Sequence, residues 1–159
     1  MKYGIHYAYW QHEWKADLAA ACRRASALGF DLLEISGGSL LDSGEEELRE
    51  LRRTADGLGM GVNACHGMSK DCDTGSADPA VRARGIDTAK RLFDRMALIG
   101  SSRLGGILYS YWPALDYTNA GAEPARTREY SLESMAVIAD EAAYRGIQLN
   151  LEVVNRYEN

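Results

Sequence analysis

The chain has 159 residues, 46% of them hydrophobic, which is enough to bury one real core. Its formal net charge of -5, with no basic run, argues against a nucleic-acid backbone as partner. The opening MKYGIHYAYW lacks the apolar core of a signal peptide, no stretch approaches membrane-spanning length, and three sparse cysteines without CxxC spacing suit free thiols, so a soluble, cytoplasmic protein is expected.

In chain order, Tyr3 to Tyr9 reads as an aromatic strand with Trp10 and Trp14 just beyond it. Lys15 to Leu28 follows as a helix, with Leu18, Ala21, Cys22, Ala25 and Leu28 at three- and four-residue steps and Gly29 as its left-handed cap. Phe30 to Ile35 is a second strand, Ser36 to Gly44 a Gly/Ser loop, and a second helix opens at a capping box over Ser43 to Glu46 and closes at Gly59. Met60 to His66 is the third strand. Asp78-Pro79 starts a third helix, with Asp as cap and Pro in the first turn, running to about Ile99 with Gly100 as its stop. Leu104 to Tyr109 is the fourth strand, broken by Tyr111-Trp112-Pro113 and a long polar loop. The fourth helix carries Leu132, Met135, Ala136, Ala139, Ala142 and Ala143 on one face, and Gly146 leads into a fifth strand, Ile147 to Val154.

Strand, loop, helix and glycine thus repeat, and such alternation implies right-handed βαβ crossovers and a parallel sheet. Loops after strands are longer and richer in aromatic or polar residues than loops before them, as a barrel with its site on the C-terminal face requires. No glycine-rich phosphate fingerprint follows the first strand, which weakens a doubly wound sheet. The expected fold is therefore α/β, of the TIM (β/α)8-barrel type, represented by about five strands and four helices. A full barrel needs about 250 residues. Residues 1–159 are accordingly expected to be the N-terminal portion of a single barrel domain, either a fragment or a chain closed by a partner.

Glu152 interrupts the apolar run of the last strand, and Asn155, Arg156 and Glu158 follow at once. A carboxylate buried there needs a cation or several donors. An ion pair with arginine and a ligand site are equally good readings of it. The strand ends also collect His6, Tyr7, Trp14, Glu34, Ser36, His66, Gly67, Tyr109 and Trp112, a set whose aromatic faces and polar groups suit a small polyol. Each has a bland alternative: Trp14 and Trp112 as core over the barrel mouth, His66 as a satisfied histidine, Glu34 as a structural ion pair. Cys65, His66 and Cys72 lack the second ligand pair of a zinc site.

The segments GIHYAYWQHEW (Gly4 to Trp14), Cys65-His66-Gly67, GGILYSYWP (Gly105 to Pro113) and LEVVNRYEN (Leu151 to Asn159) resemble the ketose 3-epimerases, the D-tagatose/D-psicose (allulose) 3-epimerase family. The resemblance runs the length of the chain but covers about the first half of a family member. It implies a metal-dependent isomerase that inverts ketohexoses at C3, such as D-fructose to D-psicose or D-tagatose to D-sorbose, through a cis-enediolate. It implies Glu152 as a metal ligand and acid/base group, and His6, Trp14, Gly67, Trp112 and Glu158 as substrate-binding residues. His6 departs from the tyrosine or phenylalanine common at its position. The implied cofactor is Mn²⁺, with Co²⁺ or Mg²⁺ as alternatives, and its other ligands, an aspartate, a histidine and a second glutamate, lie beyond Asn159. The expected partner is a small ketose sugar, with no nucleic acid and no membrane, in a homo-oligomer. The alternative is a catalytically incomplete half-barrel acting as a sugar-binding or assembly module. A hydroxypyruvate or inosose enzyme of the same superfamily is a third reading, against which LYSYWP and NRYEN speak.

Overall fold

The computed structural model describes residues 1–11, 13–113 and 124–154. Five strands, β1 (Gly4–His6), β2 (Leu32–Ser36), β3 (Gly61–Met68), β4 (Arg103–Tyr111) and β5 (Gln148–Leu151), form one sheet in the order β1-β2-β3-β4-β5. The helices between them are α1 (Leu18–Ala27), α2 (Gly37–Asp42), α3 (Glu45–Leu58), α4 (Pro79–Ile99) and α5 (Pro124–Tyr144). β1 pairs with β2 and β2 with β3 in parallel, placing His6 opposite Glu34 and Glu34 opposite Asn63. Consecutive parallel neighbours joined by helices are the βαβ succession that the sequence pattern implies.

The chain divides into two compact units. The first comprises residues 1–65 and 92–104. Here Leu33 and Ile35 of β2 and Val62 and Ala64 of β3 are buried, alternating with half-buried Glu34 and Cys65. Their apolar face belongs to a core with Leu18, Cys22 and Ala25 of α1 and Leu48, Leu51 and Ala55 of α3. Period-two burial on a strand against period-3.6 burial on a helix is how the sheet gains a covered face and leaves a polar one. α1 starts at its cap Asp17, whose carboxylate accepts from Ala20 N at 2.8 Å, three residues later than the periodicity suggests. α3 is capped at Gly44, with Glu47 closing the box by accepting from Gly44 N at 2.8 Å, in place of the Ser43 to Glu46 box expected.

The second unit comprises residues 66–91 and 105–159. Asp78 caps α4 as expected, its carboxylate accepting from Ala80 N at 2.8 Å. Thr74 is fully buried and donates to Leu108 O at 2.8 Å, while its own carbonyl accepts from Ser134 Oγ at 2.8 Å. This corrects the expected face of the last helix. α5 buries Ser134, Ile138 and Ala142 while Leu132 stays exposed, because the serine hydroxyl satisfies a buried carbonyl that an apolar side chain would strand.

Other corrections follow from local hydrogen bonding. The first strand stops at His6, and Tyr7–Trp10 form a single 3-10 turn. The Gly/Ser segment expected as a loop contains α2, because Ser36 Oγ accepts from Ser39 N at 3.2 Å and caps it despite two glycines. β5 ends at Leu151 rather than Val154, so Glu152 is not a carboxylate buried within a strand but an exposed residue just past one.

Candidate functional site

In the first unit, His6 and Trp14 meet edge to face, with ring centroids 6.2 Å apart. Trp14 is held through its backbone: its carbonyl accepts from Tyr7 Oη at 2.7 Å and from Ser39 Oγ at 2.9 Å. Tyr7 is fully buried and its hydroxyl also meets Ser39 Oγ at 2.6 Å and Ser36 Oγ at 3.1 Å. Tyr7 is thus a positioning residue, and the 67%-exposed Trp14 ring it anchors is not core. Such an exposed, fixed indole suits an apolar sugar face.

Glu34 lies opposite His6 in register and makes no ion pair among the described residues. Its carboxylate lies with the His6 imidazole and the Cys65 thiol, one donor atom from each within 4.8 Å of the others. Burial lowers the His6 pKa below the usual 6.5, and the nearby Glu34 charge opposes that shift in part. The sequence does not show this trio, because its members come from three strands and meet only through register. In the second unit Cys72 Sγ accepts from Thr88 Oγ1 at 3.5 Å.

In the second unit, Gly67 lies under Trp112: a Cβ added there would stand 3.2 Å from Trp112 Cε3. Trp112 N donates to Met68 O at 2.8 Å, and Tyr111 N donates to the Asp73 carboxylate at 3.2 Å, fixing the chain that carries the ring. Half-buried His66 is held neutral at ordinary pH, its pKa pushed down to about 4 by desolvation.

Glu152 is pinned through its backbone, donating from N to Gly106 O at 2.9 Å and accepting at O from Tyr109 Oη at 3.1 Å. Its exposed carboxylate makes no hydrogen bond or ion pair among the described residues. A fixed main chain with an uncommitted carboxylate is the arrangement that a metal ligand or proton acceptor needs. The donor type fits a hard divalent cation, but among the described residues Glu152 belongs to no group of three or more histidine, cysteine or carboxylate donors. Glu158 and the NRYEN segment, like the polar loop after Pro113, lie outside the described residues. The structure therefore brings together His6 with Trp14 and Gly67 with Trp112, and places Glu152 in the same unit as the second pair.

A family model of the xylose isomerase-like TIM barrel matches residues 22–159. The chain belongs to that barrel family. Among curated relatives, the D-psicose 3-epimerase of Ruminiclostridium cellulolyticum is 37% identical over all of this chain and 54% of its own length. That of Enterocloster bolteae is 40% identical over 99% of this chain and 52% of its own. The crystal structure of D-psicose 3-epimerase with D-tagatose from Clostridium cellulolyticum H10 superposes with a TM-score of 0.93 at 37% identity, covering all of this chain and 54% of that one. The chain thus spans about half the length of the relatives it matches. No helix among its described residues is long and apolar enough to cross a membrane.

Proposed function

We propose that this xylose isomerase-like barrel chain supplies the first five strands of a ketose 3-epimerase, and that the whole enzyme inverts C3 of a ketohexose such as D-fructose or D-tagatose. The observation that carries the proposal is Glu152, its backbone fixed to Gly106 and Tyr109 and its carboxylate without a hydrogen bond or ion pair among the described residues. In this reading Glu152 removes the C3 proton, and an acid on the opposite face, from the remaining strands of the barrel, returns one, through a cis-enediolate. Trp14 and Trp112 present rings to the sugar, Gly67 leaves room for Trp112, and His6 packs against the far end of the substrate. Glu158 binds hydroxyls near the reacting carbon. Glu152 would also be one ligand of a divalent ion, Mn²⁺ with Co²⁺ or Mg²⁺ as alternatives. That ion, when bound, polarises the C2 carbonyl and so acidifies the C3 proton.

A second reading, a sugar-binding or assembly module, is favoured by the apolar side chains exposed at the end of α5 and just past β5, with Tyr144 89% and Val153 91% exposed. One assay separates the two. With Mn²⁺, the epimerase converts D-fructose to D-psicose, and both a chelator and Glu152→Gln abolish conversion. A folded whole enzyme that binds ketoses without converting any of them contradicts the epimerase reading and supports the module.

A further inference from the structure

We propose that His6, Glu34 and Cys65 form a cation site of their own, built for a borderline-soft divalent ion of the zinc class. The three donors come from three consecutive strands. His6 is opposite Glu34 and Glu34 opposite Asn63, and Cys65 lies two residues beyond Asn63 on β3. Two residues is one strand period, so all three side chains leave the same face of the sheet, the face opposite buried Leu33, Ile35, Val62 and Ala64.

One ring nitrogen, one carboxylate oxygen and the thiol sulfur lie within 4.8 Å of one another. Tetrahedral binding at Zn–N of about 2.0–2.1 Å and Zn–S of about 2.3 Å places donors roughly 3.5 Å apart. The set therefore closes on an ion with a movement of about an ångström shared among the three side chains. All three residues are half-buried, sheltered from bulk water yet reachable by an ion. Three protein donors leave the fourth position to water. A thiolate with an imidazole selects zinc, cobalt or cadmium over magnesium and manganese, so this site differs in kind from the oxygen-rich one to which Glu152 would contribute.

Binding has a structural consequence. His6 Nδ1 accepts from Ala8 N at 3.2 Å. Coordination through Nδ1 takes that lone pair, and coordination through Nε2 moves the ring proton to Nδ1. Either way the contact is lost and the turn at Tyr7–Trp10 loosens. If His6 also binds the sugar, as the functional reading above has it, zinc would inhibit turnover; the site itself does not depend on that reading.

The test is a Co²⁺ titration of the reduced protein, followed by the thiolate-to-cobalt charge-transfer absorption. The expected result is saturation at one Co²⁺, bleaching by Zn²⁺, and loss of the band in Cys65→Ser and Cys65→Ala with unchanged far-UV circular dichroism. Glu34→Gln and His6→Ala should weaken Co²⁺ binding by about 10–100-fold or more, since losing even outer partners of a metal site has that effect. Cys72→Ser and Glu152→Gln should keep the band. A wild-type protein with no thiolate band at millimolar Co²⁺, or a band that survives in the Cys65 variants, overturns the proposal. The Glu152→Gln arm separates its failure from failure of the epimerase reading.

Discussion

Gly106→Ala tests how Glu152 is held. Gly106 has φ 108°, and an added Cβ would stand 2.3 Å from the carbonyl oxygen of His66 and 2.9 Å from its nitrogen. Those atoms are backbone, so no side-chain rotation relieves the contact, and β3 and β4 must separate locally by about an ångström. A non-glycine residue at such a φ costs about 1–3 kcal/mol. Forcing packed backbone apart costs about 1–3 kcal/mol more. The expected loss, about 2–6 kcal/mol, is a large part of the 5–15 kcal/mol typical of a domain. The displacement falls on the carbonyl that receives Glu152 N, so catalytic efficiency should fall as well. Gly57→Ala is the control: it lies inside α3 with nothing near its Cβ position, and should stabilise by about 0.5–1 kcal/mol. Urea denaturation monitored by circular dichroism reads both. A Gly106→Ala loss below about 1 kcal/mol would refute the close-approach argument.

Three further outcomes are expected. Thr74→Val should cost about 1–3 kcal/mol in the same denaturation assay, because it strands the buried Leu108 carbonyl that Thr74 Oγ1 serves. As pH falls, the unfolded chain protonates its His66 near 6.5 while the folded chain resists to about 4. The stability tied to neutral His66 is therefore complete above about pH 6.5 and is lost on the way down to about 4, by at most about 3 kcal/mol. His66→Gln should flatten that slope, leaving a weaker one of the same sign from His6; an unchanged slope would contradict the assignment. Gly67→Ala places a methyl 3.2 Å from the Trp112 ring, and should raise KM for the ketose more than it lowers kcat, measured by steady-state kinetics.

Much of the architecture is legible in the sequence because its signals are local. Gly29, Gly59, Gly100 and Gly146 mark the helix ends, and each adopts positive φ, at 85°, 66°, 66° and 67°. Asp78-Pro79 marks a helix start for an equally local reason. What escapes the sequence depends on partners distant along the chain. The inward turn of Ser134 follows from the Thr74 carbonyl it serves, and the meeting of His6, Glu34 and Cys65 follows from strand register. Helix α2 is hidden by Gly37 and Gly38, poor helix formers offset by the Ser36 cap. The apolar run around Glu152 suggests a longer buried strand, yet among the described residues β5 stands at the sheet edge and ends at Leu151.

The role given to Glu152 is tested most directly by following the proton it would move. D-Fructose incubated in D₂O with the whole enzyme, this chain together with the remaining strands of the barrel, and Mn²⁺ should yield D-psicose carrying deuterium at C3, detected by loss of the C3 proton signal in NMR. Glu152→Gln should slow that exchange by about 10²–10⁴-fold, the scale of a lost general base. Exchange at the wild-type rate in Glu152→Gln, or epimerisation that leaves C3 without deuterium, would contradict proton transfer by this carboxylate.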